Sequence, residues 1–169
     1  MRGQSAPIVL VILMAAVIAL GAGLMGYAAS YSSMIRADSE LRNFIQSEAI
    51  KTVLYYEYED EDDLYIGVLR VDGTFGRYYY FTSSRDFREA SSSGGIAADP
   101  SSIYIIVSEG SYVPLSVFNS RTIYLGFIDV SSSAPQLLHV SKSSCEVVVL
   151  LVRAGQNYYE VGRWYVYAS

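Results

Sequence analysis

The sequence predicts an α+β protein: a long N-terminal α-helix, hydrophobic then amphipathic, followed by an all-β, sandwich-like (immunoglobulin-like) globular head. Three observations predict it. Residues 3–35 contain no Asp, Glu, Lys or Arg. Residues 27–52, with Met34, Leu41, Ile45 and Arg36, Asp38, Glu40 among them, hold no Pro or Gly. From residue 53 onward, short runs rich in Val, Ile, Tyr and Phe alternate with Gly, Ser, Asn, Asp and Pro, and no second helical pattern occurs.

The apolar stretch runs from Gln4 to Tyr27. A helix rises about 1.5 Å per residue, so roughly 20 apolar residues cross a bilayer, and this run suffices with some tilt. Arg2 is its only N-terminal flanking charge, and positive flanks stay inside. The short end is therefore expected in the cytoplasm and the bulk of the chain outside. Pro7 falls in the first turn, where its missing N–H costs nothing. Ala15, Ala19 and Gly23 recur four residues apart, and Ala22 and Gly26 form a second small pair. Such spacing lets helix backbones approach closely in an apolar medium, although small residues are also common in membrane helices generally.

From Ser30 the character changes. Met34, Leu41, Phe44, Ile45 and Val53 approximate one apolar stripe, with Arg36, Asp38, Glu40, Arg42, Glu48 and Lys51 between them. One continuous helix is predicted over residues 5–52, about 70 Å long. Its second half has a face to lay on a globular domain. The division expected is a leader at 1–3, a helix at 4–52 (apolar 4–29, amphipathic 30–52) and a β-domain at 53–169.

Nine strands are predicted, at 53–59, 64–71, 75–82, 103–108, 112–118, 122–130, 136–141, 146–153 and 158–167. Asp72-Gly73 reads as a tight hairpin turn. Residues 83–102, with Ser91-Ser92-Ser93-Gly94-Gly95, read as a long polar loop. The run 146–153 is apolar on both faces and should be a central strand. Regular spacing of short strands points to a β-sandwich.

The net charge of −5 disfavours nucleic acid, which calls for a basic stripe. Sixteen Tyr and six Phe suit strands and interfaces. Cys145 is the only cysteine, so no intrachain disulfide forms, and a buried, strand-bound thiol is expected. His139 and Cys145 lie near a turn but do not announce a nucleophile–base pair. With no nucleophile elbow, zinc-protease or phosphate-loop motif, the expectation is a non-enzyme without cofactor or metal. Glu57-Tyr58-Glu59-Asp60-Glu61-Asp62-Asp63 offers oxygen ligands for Ca²⁺ but lacks EF-hand spacing, so a solvated hairpin turn is expected.

Arg2-Gly3-Gln4-Ser5, a basic residue and Gly followed at once by a long apolar helix, resembles the class III signal peptide of archaeal type IV pilins. That resemblance covers about thirty residues. It implies cutting by a prepilin peptidase between Gly3 and Gln4, with the apolar helix kept as the core of a filament. Ile8 stands where bacterial pilins carry Glu, a residue that archaeal relatives commonly lack. The glycine-rich start of archaellins is missing, which favours a pilin over an archaellin. The resemblance implies a homopolymeric helical filament on the cell surface, built by pilus assembly machinery from a precursor in the cytoplasmic membrane. Its core would comprise Ile8, Leu10, Leu13, Val17, Leu20 and Leu24, and adhesion would be its role. Two other readings compete. One is a monotopic anchor whose head binds an envelope or S-layer component, similar to archaellum stator proteins. The other is an exported domain cut near Tyr27-Ala28-Ala29-Ser30.

Overall fold

The computed structural model describes residues 5–91, 94–107, 110–131, 133–142 and 145–166. It divides into two compact units, Met1–Arg42 and Asn43–Ser169. A single helix, α1 (Ser5–Lys51), makes up the first unit, and its last turns belong to the second. Nothing inside 27–51 can break it, and the β-branched, tyrosine-rich residues that follow end it by starting a strand.

Eleven strands follow among the described residues: β1 (Thr52–Glu59), β2 (Asp63–Arg70), β3 (Gly76–Ser83), β4 (Ala90–Ser91), β5 (Ile96–Ala98), β6 (Ile103–Ile106), β7 (Tyr112–Pro114), β8 (Ile123–Val130), β9 (Gln136–Ser141), β10 (Val147–Ala154) and β11 (Asn157–Tyr165). They form two sheets. The smaller has the order β1-β2-β9; the larger runs β5-β8-β3-β10-β11-β6-β7, with β4 also on β3. The α+β class and the β-rich, sandwich-like head are as predicted. So is the central strand: β10 lies between β3 and β11, and Val147 to Val152 are all buried.

Three local expectations are corrected. Asp72-Gly73 is a tight turn, with Gly73 at φ +78, but it is not a hairpin. It carries the chain from β2 in one sheet to β3 in the other. The segment 83–102 is not all loop. It holds β4 and β5, which pair with β3 and β8 through their backbones and leave little side-chain pattern to read. Gly94 belongs to this arrangement, because a Cβ there would collide with the backbone of Leu125 and Gly126. The run 112–118 is a strand only to Pro114; Leu115–Val117 is a 3-10 turn. The acidic turn between β1 and β2 is a hairpin turn as expected, closed by the Asp60 N–H donating to the Asp63 carbonyl (2.8 Å).

The large sheet has apolar side chains on both faces. One face carries Tyr79, Phe81, Ile103, Ile105, Ile123, Leu125, Val147, Val149 and Leu151, closed over by Phe87 and Leu115. The other buries Tyr78, Val148 and Leu150. The small sheet contributes Leu64, Ile66, Val68, Leu138 and Val140, and the helix end contributes Ile45. At about 25 cal/mol per Å² removed from water, these surfaces are the main driving force of the head. Cys145 is buried just before β10, its thiol donating to the Val147 carbonyl (3.2 Å), and burial pushes its pKa up.

Candidate assembly site

Every described side chain from Val9 to Glu40 is exposed apart from half-buried Gly21. Leu10, Leu13, Val17, Leu20 and Leu24 each leave 59–70% of their surface uncovered. An apolar helix of this length needs a lipid or protein surround, because bare hydrocarbon on this scale is costly in water. The predicted small residues Ala15, Ala19, Ala22, Gly23 and Gly26 are helical and open. A Cβ at Gly23 or Gly26 would meet nothing within 4 Å. Ile8 is helical, and its side chain lies outside the described ones, as do Gly3 and Gln4.

Gly23 gives a clean test of whether this helix packs on copies of itself. Its substitution by Leu touches nothing in the single chain and favours helix by up to about 1 kcal/mol. The expected result is an unchanged thermal transition of the head together with reduced assembly, read by electron microscopy. Unaltered filaments would place Gly23 away from the helix–helix contacts.

Of the predicted amphipathic stripe, only Ile45 is fully covered. Met34 is 72% exposed, and Phe44 and Val53 also face outward. The feature that fixes the helix end to the head is polar, and hydrophobic patterning did not reveal it. Glu48 and Arg70 are both buried and joined by two hydrogen bonds: Nη1 donates to Oε2 (2.6 Å) and Nη2 to Oε1 (3.1 Å). Arg70 Nε donates to Asp72 Oδ1 (2.7 Å), and Lys51 lies 3.7 Å from Glu48. The Tyr78 hydroxyl receives Arg70 Nη1 (2.6 Å) and Thr52 Oγ1 (2.7 Å), and donates to Glu48 (3.0 Å). One cluster thus joins α1, the small sheet and the large sheet, and all its polar atoms are satisfied, as low-dielectric burial requires.

The electrostatics follow from that geometry. Burial raises the Glu48 pKa, but the hydrogen bonds from Arg70 and Tyr78 and the charges of Arg70 and Lys51 outweigh it and leave the carboxyl below its ordinary value. Hydrogen bonding from Arg70 holds Asp72 well below the usual carboxylate range. The bonds to Glu48 and Asp72 keep Arg70 charged at any accessible pH. A signal for Arg70 was present in the sequence: it lies in phase with Leu64, Ile66 and Val68, so strand alternation turns it inward.

His139 does not meet Cys145. It stacks on Tyr65, which stacks on Tyr58, and its Nε2 lies 2.9 Å from Asp63. The acidic run forms the end of β1 and the turn into β2, and no cluster of metal-holding His, Cys, Asp or Glu occurs among the described residues.

One apolar helix long enough to cross a membrane, followed by a two-sheet β head, defines a pilin-like architecture. Searches against protein-family models, curated proteins and solved structures find no significant match to the chain.

Proposed function

We propose that the chain is the structural subunit of an extracellular type IV pilus-like filament of an archaeal kind. It polymerises through its N-terminal helix, and its β head forms the outer surface, where attachment to surfaces or other cells takes place. It is not an enzyme and takes no cofactor. The observation that carries this reading is the uncharged stretch of the helix, residues 9–35, exposed nearly throughout, with small residues spaced for close contact. Before assembly the span at 4–29 sits in the cytoplasmic membrane. A prepilin peptidase then removes residues 1–3, and the pilus machinery moves the helix from lipid into a core of identical helices. In that core, lipid contacts are exchanged for close van der Waals packing.

Two measurements on the native producer test it together. N-terminal sequencing of the mature protein should begin at Gln4, and electron microscopy of the sheared extracellular fraction should show filaments containing this chain. A chain still beginning at Met1, with no filaments, overturns the proposal and leaves the membrane-anchored, envelope-binding head in its place.

A further inference from the structure

The last strand of the head has, among the described residues, an edge without a strand partner over part of its length. On one side β11 pairs with β10 along its length. On the other, β6 meets it only at Tyr158 and Tyr159 and then turns away. Where β6 leaves, side chains replace its ladder. Glu160 accepts from the Ile106 N–H (2.7 Å), and Arg163, doubly bonded to Glu160 (both 2.6 Å), donates to the Ile106 carbonyl (2.5 Å). Beyond that plug the alternation of an antiparallel ladder fixes the backbone directions. The Val166 N–H donates to the Glu146 carbonyl (2.8 Å), so Trp164 also turns its backbone towards β10. Arg163 and Tyr165 therefore turn their N–H and C=O groups to the side where no described strand lies.

This edge is flanked by a cavity on each face of the strand. On the face of Trp164 and Val166 is one of about 350 Å³, lined also by Tyr56 and Leu64 and rimmed by Glu59 and Lys142. On the face of Arg163 and Tyr165 is one of about 630 Å³, lined also by Phe87, Phe118, Arg85 and Arg88. The second carries three guanidinium groups against two carboxylates. Glu160 is taken by Arg163 and Asp86 by Arg88, whereas the Arg85 guanidinium overlies the Tyr165 ring without a carboxylate partner among the described residues, its backbone N–H donating to Glu146 Oε2 (2.8 Å). The wall of this cavity is held in a costly conformation. Phe87 is buried at φ 61, a left-handed backbone that bulky residues rarely adopt. It is fixed there by the turn bond from its N–H to the Ser84 carbonyl and by the Arg163 guanidinium, 5.1 Å from its ring centroid. In a chain of net charge −5, a preformed cationic, aromatic cavity beside an open strand edge selects an acidic partner.

We propose that this edge receives an extended acidic segment of another protein as an added strand. Its backbone would pair with Arg163 and Tyr165. Its acidic side chains would go to Arg85, and the alternate, apolar ones to Tyr56, Leu64 and Trp164. Strand addition works in this way generally: main-chain bonds supply affinity, and pockets for alternate side chains supply specificity. The inference does not depend on the filament reading, and its test does not involve assembly.

The test uses the full chain in detergent micelles and a fluorescent synthetic peptide in which glutamate alternates with valine, followed by polarisation. Saturable binding is expected. Methylating alternate amides of the peptide, which removes its ladder bonds and keeps its side chains, should abolish it. Tyr165→Pro should also abolish it, since that N–H faces away from β10 and proline is tolerated on an open edge. Arg85→Glu, on the exposed loop, should weaken binding at least about tenfold, and it should improve binding of a second peptide in which lysine replaces each glutamate. Absence of binding, or binding indifferent to amide methylation, overturns the proposal. So does self-association of the wild type that Tyr165→Pro removes and the glutamate peptide does not compete away, which would make a second copy the occupant.

Discussion

Leu13→Asp is expected to eliminate the extracellular polymer completely, while Asp60→Asn leaves it intact. Leu13 sits in the middle of the uncharged run, is 61% exposed, and is covered by no other part of the chain. The substitution therefore removes no contact that holds the head together, and the head should melt at the wild-type temperature. What changes is the cost of enclosing the helix. In a bilayer, one carboxyl on a lone helix can protonate, or be served by water and local thinning of the membrane. In a core of identical helices, the same charge recurs once per subunit with no cation beside it. Each copy then carries a desolvation penalty of several kcal/mol that nothing offsets. Asp60 lies in the exposed turn between β1 and β2, and its replacement changes only the surface. Electron microscopy of the sheared fraction, with immunoblotting of the membrane fraction, reads both variants. Filaments from Leu13→Asp in wild-type amounts would show that this helix is not enclosed by copies of itself.

The helix and the head differ in how far the sequence reveals them. A charge-free run and an uninterrupted amphipathic run fix α1 to within a residue of its end, because helix breakers and charges act locally. The long strands are legible as runs rich in Val, Ile, Leu and Tyr between turn residues, β10 as a run apolar on both faces. β4 and β5 were missed because they are two and three residues long and held by backbone pairing to distant strands. Asp72-Gly73 shows the same limit. Its chemistry specifies a tight turn, and Gly73 makes one, but which sheet the next strand joins is decided by tertiary packing. At the helix end, the hydrophobic stripe includes Met34, Phe44 and Ile45, of which only Ile45 is buried. The other contact falls on Glu48, a charged residue that patterning assigns to the solvated face. A buried charge can be recognised only with its partner, and Arg70 is twenty-two residues away in sequence. The open edge of β11 was not legible either, since it depends on where β6 stops.

Arg70→Met is expected to destabilise the head strongly. It leaves Glu48 beneath the head surface with Tyr78 and Lys51 but without its bidentate cation, and breaking a buried pair in this way costs about 3–5 kcal/mol. At a few degrees per kcal/mol, the midpoint should fall by roughly 10 °C or more. Replacing both partners, Glu48→Leu with Arg70→Met, removes the two desolvation costs together. It should recover most of the loss, since apolar pairs often substitute for buried ions without penalty. The lowered carboxyl pKa values set the pH dependence. Because Glu48 and Asp72 titrate lower in the folded head than in the unfolded chain, their stabilisation is fully present above the ordinary carboxylate range. It is lost as pH falls through that range towards the folded values. The wild type should therefore lose stability on acidification from neutral pH, and the double variant, which lacks Glu48 and the Arg70 bond to Asp72, should lose less. Near-UV circular dichroism of the full chain in detergent reports the transition through the single tryptophan, Trp164, and the tyrosines. A single variant as stable as the wild type, or a double variant worse than the single, would remove the Glu48–Arg70 pair as the bond that holds the helix end in the head.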